Sequence, residues 1–315
     1  MFEKVCSRYG IINVFDEDLI SKFIKKYGEW AFIECEFIHH VLSRQSGPHL
    51  IFDVGAYIGT FTMGLSNLGF STSKFVAVEM NEGSFSALAS NLKEHIENHS
   101  LIKGAIGKEN RKGSAFKLTE NRDNAGASSL EHLEEPVGDN VKIIDQYTLA
   151  KLGAIYGPPD LIKMDIEGME LEALKYSQNW IKDNMPTFWL ECNESASSLA
   201  LWELLDWLGY DVYYFAFPSF NPSNFNSSED KIFGCAYEAG LLAIDNSPSL
   251  SIGNTFYERD CIFSKVNSEQ ELKRLMWKTP RWSKEEWLTL TKAELIALLG
   301  RKELNSDFSE FLLNT

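Results

Sequence analysis

Residues 51–62 read Ile51-Phe52-Asp53-Val54-Gly55-Ala56-Tyr57-Ile58-Gly59-Thr60-Phe61-Thr62. The run begins with the apolar side chains of a strand, reaches an acid at Asp53, turns through Gly55 and Gly59, and continues into a helix. Glycines let the backbone come close to a ligand, and open α/β sheets bind their ligands at the carboxyl ends of parallel strands. The motif therefore predicts a doubly wound α/β fold with a ligand site at this turn.

A second acidic position lies at the end of the next predicted strand. That strand reads Phe75-Val76-Ala77-Val78-Glu79 and closes on a glutamate about 20 positions after Gly59. A carboxylate at this place can accept hydrogen bonds from both hydroxyls of a ribose, which would make the ligand a nucleoside derivative. The alternative is that Glu79 is a solvated strand end without a ligand.

The sequence of the turn indicates which of two types of nucleoside cofactor is bound. Dinucleotide sites use the pattern G-x-G-x-x-G, whereas here the bulky Tyr57 follows Gly55 by two positions and would obstruct a pyrophosphate. S-adenosylmethionine has no pyrophosphate, and Asp53 suits its cationic methionine end, directly or through water. We therefore expect S-adenosylmethionine as the cofactor, with a nicotinamide dehydrogenase as the alternative. The residues expected to bind it are Asp53, Gly55, Ala56, Tyr57, Gly59, Thr60, Glu79 and Met80.

The order of predicted elements divides the chain into three parts. Residues 1–48 show helical spacing and are expected to form an N-terminal helical segment. Residues 49–244 alternate apolar strands with amphipathic helices, which is typical of a mostly parallel sheet with helices on both faces. Residues 245–315 form a partly helical C-terminal extension, with capping-box patterns at Ser268-x-x-Glu271 and Thr291-x-x-Glu294.

The individual elements of the sheet domain follow from the same alternation. Strands are predicted at Leu50–Val54, Lys74–Glu79, Ser100–Ala105, Asp160–Asp165, Thr187–Glu191, Asp211–Phe215 and near Ala239–Ile244, with minor strands around Phe116 and Val141–Ile143. Helices are predicted near residues 60–68, 83–96, 145–152, 168–179 and 197–208.

Three carboxylates follow two further strands of the predicted sheet. Asp165 and Glu167 come after Ile162-Lys163-Met164, and Glu191 closes Thr187-Phe188-Trp189-Leu190. Because parallel strands end at the same edge, these groups are expected to lie near the glycine turn as candidate catalytic residues. They would act as a general base with a raised pKa, hold a divalent metal, or be structural, with Glu167 capping the next helix. Lys163 is expected to pair with Asp165 or Glu191, because a buried lysine is costly when unpaired, or to orient the substrate.

Several segments resemble the FkbM family of methyltransferases. Asp53–Thr62 looks like the family's D-V-G-A-x-x-G-x-x-T, and Val78-Glu79 like its second motif. Asp160–Glu170, which reads Asp160-Leu161-Ile162-Lys163-Met164-Asp165-Ile166-Glu167-Gly168-Met169-Glu170, is similar to its hallmark I-K-x-D-x-E-G-x-E. Tyr27–Trp30 and Asn124–Leu130 also look like segments of the family, so that the resemblance spans residues 27–244.

The resemblance implies a Rossmann-like, seven-stranded sheet with an antiparallel final strand, and S-adenosylmethionine as methyl donor. It also implies O-methylation of hydroxyls on saccharides or natural-product scaffolds. The alternatives are an N- or C-methyltransferase of the same fold, or a non-catalytic S-adenosylmethionine-binding interaction protein.

The acceptor is expected to bind above the strand ends. The segments placed to roof that pocket are the N-terminal helices, residues 119–136 and the Pro/Ser/Asn-rich residues 218–231. Aromatic rings suit the faces of sugars and planar scaffolds, and the candidates in these segments are Trp30, Phe217, Phe220 and Phe225. Packing of the roof is the other role considered for them.

The net charge and the cysteine content indicate which binding partners and which cellular compartment to expect. The chain has 45 acidic and 30 basic residues, a formal net charge of −15. Such a surface repels phosphate backbones and anionic membranes, so a small-molecule acceptor is expected, with no nucleic acid and no membrane; a homo-oligomer is possible. The five cysteines form no C-x-x-C pair, and the sequence contains no signal-peptide pattern and no membrane-spanning apolar run, which favours a cytoplasmic protein.

Overall fold

The computed structural model describes residues 2–16, 18–119, 129–133, 141–166, 168–231, 236–245 and 250–279, and for residues 117–119 and 129–133 it describes the backbone alone. The chain forms two compact units. The first comprises Met1–Trp189 and Ser223–Ser228, and the second Leu190–Pro222 and Glu229–Thr315. The domain boundaries predicted at residues 48 and 244 stay a prediction.

The described residues contain strands and helices in the following order. The strands are β1 (Phe2–Ser7), β2 (Gly10–Phe15), β3 (Leu50–Val54), β4 (Lys74–Glu79), β5 (His99–Lys103), β6 (Ala105–Ile106), β7 (Arg111–Thr119), β8 (Ser129–Leu133), β9 (Val141–Tyr147), β10 (Leu161–Met164), β11 (Thr187–Glu191), β12 (Tyr210–Pro218), β13 (Tyr237–Asp245) and β14 (Ile262–Lys265). The helices are α1 (Leu19–Tyr27), α2 (Phe32–Leu42), α3 (Thr60–Leu65), α4 (Glu82–His95), α5 (Leu149–Tyr156), α6 (Glu170–Tyr176), α7 (Gln178–Asn184), α8 (Ala196–Trp207), α9 (Asn254–Tyr257) and α10 (Glu269–Lys278), and a π-helical turn at Ser66–Phe70 follows α3.

The large mixed sheet confirms the predicted α/β fold, and the described residues give it eight strands where seven were expected. In the first unit β10, β3, β4 and β5 run parallel in that order. β3 and β4 are buried on both faces, which explains why their sequences are continuous apolar runs rather than alternating patterns. Since these strands are parallel, their carboxyl ends lie at one edge of the sheet, where the glycine turn follows β3 and Glu79 closes β4.

The second unit contains the antiparallel strands of the large sheet. β12 pairs antiparallel with β13 on one side and with β14 on the other. The additional strand, β14, comes from the region expected to be a C-terminal extension. Ser268 accepts a hydrogen bond from the main-chain N–H of Glu271 at 3.3 Å and begins α10, which confirms the first capping box. The second capping box, at Thr291, lies outside the described residues.

The N-terminal segment differs from the helical prediction. Residues 2–15 form an antiparallel hairpin, β1–β2, and helices begin only at Leu19. The strand Gly10–Phe15 is rich in β-branched and aromatic side chains, and Gly10 has a left-handed φ of +103° at the turn. The helical spacing of apolar residues within 32–42 does correspond to a helix, α2, whose apolar side chains are buried.

A second, four-stranded sheet has the order β6-β9-β7-β8. It contains the minor strands that were predicted around Phe116 and residues 141–143. Phe116 is buried against Ala105 and Met169, with Met80 and Ile166 packed on the same cluster. Apolar side chains therefore cover the region just beyond Glu79. Among the described residues, no helix is both long enough and apolar enough to span a lipid bilayer.

Candidate functional site

The turn after β3 is built from left-handed residues. Gly55, Tyr57 and Gly59 have φ angles of +79°, +51° and +91°. The main-chain N–H groups of Gly55 and Ala56 both donate to the carbonyl oxygen of Val78, at 3.0 Å each. The turn is thereby attached to the end of β4, next to the acid that closes that strand.

The two glycines are required by the packing of the chain itself. A Cβ on Gly55 would lie 1.8 Å from the carbonyl oxygen of Asp165, and a Cβ on Gly59 would lie 3.0 Å from the side chains of Leu88 and Leu92. The sequence pattern predicts that these glycines make room for a ligand. The structure shows that the space beside them is filled by protein, so close packing with β10 and α4 explains them.

Glu79 is hydrogen bonded directly to the glycine turn. One carboxylate oxygen accepts from the N–H of Tyr57 at 2.9 Å and the other from the N–H of Asn81 at 2.7 Å. Burial raises the pKa of Glu79 to about 7, although the main-chain N–H groups lower it. Each carboxylate oxygen has lone pairs left to accept a further hydroxyl. The expected proximity of turn and acid is therefore present.

The side chain of Tyr57 points to the N-terminal segment. Its hydroxyl donates to Asp18 at 2.6 Å, and its ring packs against Phe15 with the centroids 5.8 Å apart. Asp18 also accepts from the N–H of Ser21 at 3.0 Å and begins α1. Sequence reasoning missed Asp18, although an aspartate three residues before a serine at the start of an apolar periodic run is a helix-capping signal.

Asp53 is enclosed by the protein. Its side chain is 0% exposed, and one oxygen accepts from the hydroxyl of Thr62 at 2.7 Å. The other oxygen accepts no hydrogen bond among the described residues and lies 3.8 Å from the ammonium of Lys163. Burial raises the pKa of Asp53, against the effects of Lys163 and Thr62. This leaves no exposed surface for the direct contact with a ligand that the sequence suggested.

Lys163 connects β10 to the glycine turn. Its ammonium donates to the carbonyl oxygen of Gly55 at 3.2 Å and to Asp165 at 3.4 Å. The expected pairing with Asp165 is thus confirmed. Lys163 is buried, whereas the side chain of Asp165 is 40% exposed. Asp165 therefore presents a carboxylate at the sheet edge beside the turn.

Glu34, on α2, also lies close to this cluster and was not singled out from the sequence. One of its oxygens accepts a hydrogen bond from the indole N–H of Trp189. Burial raises the pKa of Glu34 to about 7; the charge of Lys163 and the Trp189 hydrogen bond lower it. A signal existed in the sequence, because Glu34 interrupts the apolar positions of a buried helix.

The other predicted carboxylates have different positions. Glu191, the last residue of β11, falls in the second unit and is half-buried. Glu167 lies outside the described residues. Glu170 has a role related to the capping predicted for Glu167. Its two carboxylate oxygens accept hydrogen bonds from the main-chain N–H groups of Ile166 at 2.8 Å and Gly168 at 3.0 Å. Among the described residues, no group of three or more His, Cys, Asp or Glu side chains is arranged to hold a metal ion.

The aromatic residues expected on the acceptor side do not share one environment. Trp30 packs edge-on against Phe23, with the centroids 4.9 Å apart. Phe217 is buried in β12 and packs on Phe215, so it belongs to the core of the second unit. Phe225 is exposed, and its main-chain N–H donates to Glu29 at 3.1 Å.

A comparison with protein families bears directly on this site. The model of the methyltransferase FkbM domain matches residues 53–212, more than half of the chain. The chain belongs to the FkbM methyltransferase family. The match begins at Asp53 and includes the turn, Glu79 and the Lys163–Asp165 segment. The family model thus assigns a methyltransferase domain to residues 53–212.

Several solved structures of low sequence identity are similar to this FkbM-family chain over part of its length. The FkbM methyltransferase of Methylobacillus flagellatus is 18% identical with a TM-score of 0.40, and the match covers 62% of this chain and 43% of that one. Precorrin-6y C5,15-methyltransferase of Geobacter metallireducens is 15% identical with a TM-score of 0.41, and the match covers 68% of this chain and 88% of that one. Human methyltransferase 10 domain containing protein is 12% identical with a TM-score of 0.41, and the match covers 72% of this chain and 92% of that one. This chain thus spans less than half of the Methylobacillus protein. A comparison with curated proteins gave no match.

Proposed function

We propose that the chain is an O-methyltransferase that methylates a hydroxyl of a small acceptor, such as a saccharide or a natural-product scaffold. The observation that carries the proposal is the cluster at the sheet edge. There a partly exposed carboxylate, Asp165, lies beside the turn that is hydrogen bonded to Glu79. A hydroxyl must lose its proton as it is methylated, and carboxylates at the edge of the site are groups that can receive it.

The residues present suit S-adenosylmethionine. Glu79 has the free lone pairs to accept two ribose hydroxyls, and Met80 and Ile166 belong to an apolar cluster that suits the face of an adenine. At the methionine end, Lys163 and Asp165 offer charges opposite to those of its carboxylate and ammonium groups. When bound, the cofactor supplies a methyl group on a cationic sulfur, and the pair of electrons of the broken bond stays on that sulfur.

The chain's own residues would orient the acceptor and take its proton. Alignment of the reacting atoms provides much of the rate enhancement in a displacement of this type. Asp165 is the predicted base that the structure describes at the sheet edge, while Glu191 and Glu167 remain predicted candidates. A divalent metal bound by these carboxylates is the alternative way to lower the pKa of the hydroxyl.

Calorimetric titration with S-adenosylhomocysteine and with NAD tests the cofactor. The full chain is expected to bind the first and not the second. Glu79→Ala should weaken binding by about tenfold or more, because a buried charged acceptor is lost. The matched control is Glu82→Ala on the exposed first turn of α4, which should bind as the wild type does. Equal affinity of both variants would remove Glu79 from the site.

Mass spectrometry after incubation with a panel of hydroxylated saccharides and phenols tests the reaction. A product heavier by one methyl group supports the proposal, and insensitivity to a chelator argues against the metal. Methylation of amine analogues only would indicate an N-methyltransferase. Cofactor binding without any product across oxygen, nitrogen and carbon acceptors would indicate a non-catalytic binding protein.

A further inference from the structure

Glu34 is held at the sheet edge by helix α2. Phe37 and Ile38, from the same helix, are fully buried and anchor it in the core. Glu34 itself is only half-buried, while its helix is fixed in the core. A general base needs this combination of a fixed position and access to the acceptor.

Trp189 fixes the orientation of the Glu34 carboxylate. Its indole N–H donates to Oε1 of Glu34, and the ring of Trp189 packs against Phe37 with the centroids 5.5 Å apart. Within the described part of the chain, Oε2 of Glu34 makes no hydrogen bond. The oxygen that is not bound to Trp189 is therefore the one available to receive a proton.

The charges that act on Glu34 come from residues of β3 and from the β10 segment. Lys163 of β10 favours the ionised carboxylate, while Asp165 and Asp53 oppose it. The neighbouring titratable groups Cys35 and Tyr9 are buried, and the pKa of each is raised by burial, so both are neutral near pH 7. Glu34 is thus influenced by one basic group, Lys163, and by two acidic groups, Asp165 and Asp53.

We propose that Glu34 is the general base of the methyl transfer and accepts the proton of the acceptor hydroxyl on Oε2. This inference rests on the proposed O-methyltransferase function. The hydroxyl oxygen forms the new bond to the methyl carbon, the carbon–sulfur bond breaks with its electron pair left on sulfur, and the hydroxyl proton ends on Glu34. Proton release to water then restores the carboxylate, and Trp189 acts as a positioning residue.

The chemistry favours Glu34 over Asp165 in this role. Burial raises the pKa of Glu34 to about 7, which makes it a stronger base than an ordinary carboxylate and leaves it increasingly ionised as the pH rises above neutral. Asp165 is an ion-pair partner of Lys163 at 3.4 Å. Its carboxylate thereby balances the buried ammonium that also holds the glycine turn.

The first experiment observes Glu34 without any acceptor. The indole ¹⁵N–H resonance of Trp189 is assigned with Trp189→Phe and followed against pH in the full chain saturated with S-adenosylhomocysteine. We expect a titration with a midpoint of about 7 that is lost in Glu34→Gln and retained in Glu36→Gln, a matched glutamate on the same helix. A resonance that does not titrate near neutral pH, or that titrates equally in Glu34→Gln, would overturn the proposal.

The second experiment measures turnover with whichever hydroxylated acceptor the panel identifies. Glu34→Gln should lower kcat by about 10²- to 10⁴-fold with an unchanged Kd for S-adenosylhomocysteine, and Glu34→Asp should recover part of the rate. Trp189→Phe should move the acidic limb of the kcat/KM profile to higher pH, because the hydrogen bond that favours the ionised form is lost. Glu36→Gln should match the wild type.

Retention of wild-type turnover by Glu34→Gln would overturn the assignment and leave Asp165 as the base, which Asp165→Asn then tests. If the wild-type chain methylates no hydroxylated acceptor, the proposed function fails. The resonance titration still distinguishes that outcome from a failure of Glu34 alone, because it needs no acceptor.

Discussion

At the scale of single residues, Gly55 shows how tightly the turn is packed against β10. Two features oppose any larger residue at this position. Gly55 has a left-handed φ, and an added Cβ would lie 1.8 Å from the carbonyl oxygen of Asp165. Gly55→Ala is therefore expected to lower the free energy of unfolding by about 1–2 kcal/mol for the backbone conformation and by about 1–3 kcal/mol more for the overlap.

Gly47→Ala is the matched control for this prediction. Gly47 also has a left-handed φ, +109°, but nothing lies within 4 Å of its Cβ position, so only the backbone strain applies. Urea unfolding of both variants measures the difference. An equal loss of stability in the two variants would show that the turn can move away from Asp165.

Glu79 makes stability depend on pH in a defined direction. Burial raises its pKa from 4.5 to about 7, so the folded chain holds a proton that the unfolded chain has already released between these values. Its contribution to the free energy of unfolding therefore falls as the pH rises from about 4.5 to about 7 and is constant above that.

Glu79→Gln should remove this dependence. The variant is expected to gain stability relative to the wild type across the same pH range, by ~3 kcal/mol in total. Urea titrations at several pH values measure the change, and Glu82→Gln, on the exposed turn beside it, should leave the slope unchanged. A wild-type slope in Glu79→Gln would assign the titration to another group.

At the scale of elements, Asn91 of α4 joins three parts of the first unit. It is buried, accepts from the main-chain and side-chain N–H groups of Asn13 at 2.7 and 2.9 Å, and donates to the carbonyl oxygens of Asn13 and Ile58. The hairpin strand β2 and the glycine turn are thus both hydrogen bonded to one helix. The turn is held from the N-terminal side as well as from β10.

Asn91→Leu should therefore destabilise the chain and weaken the cofactor site together. Unpaired buried groups cost about 1–3 kcal/mol each, so a loss of about 3 kcal/mol or more is expected, with weaker binding of S-adenosylhomocysteine. Denaturant unfolding and calorimetry measure the two effects. The control is Asn98→Leu, an exposed asparagine beyond the same helix, which should change neither. Full cofactor affinity in Asn91→Leu would separate the hairpin from the site.

The elements also show which parts of this chain are predictable from its sequence. β3, β4 and β11 have the predicted bounds, because each is an apolar run that local residues delimit. The β1–β2 hairpin was missed, since its strands are short and its stability depends on α4, far along the chain. Glu34 was missed for the same reason: only the packing of α2 brings it to Lys163 and Trp189.

At the scale of the whole molecule, net charge is the property that decides between classes of partner. The chain carries a formal −15 at pH 7. We expect no binding of a single-stranded RNA oligonucleotide tighter than about 10⁻⁴ M at ~0.15 M salt, because the polyanion gains no counterion release. Fluorescence anisotropy of a labelled oligonucleotide measures this affinity. Micromolar binding that weakens steeply with added salt would reveal a basic patch and contradict the small-molecule assignment.

The attachment of Ser223–Ser228 to the first unit has a consequence for biosynthesis. The carboxylate of Glu29, buried beside Arg8, receives its N–H donor from Phe225, 196 positions later, and Asn226 donates to the carbonyl oxygen of Tyr27. A nascent chain that has emerged only as far as β11 lacks both donors. We therefore expect the first unit to complete its hydrogen bonding only after residues 223–228 have left the ribosomal exit tunnel.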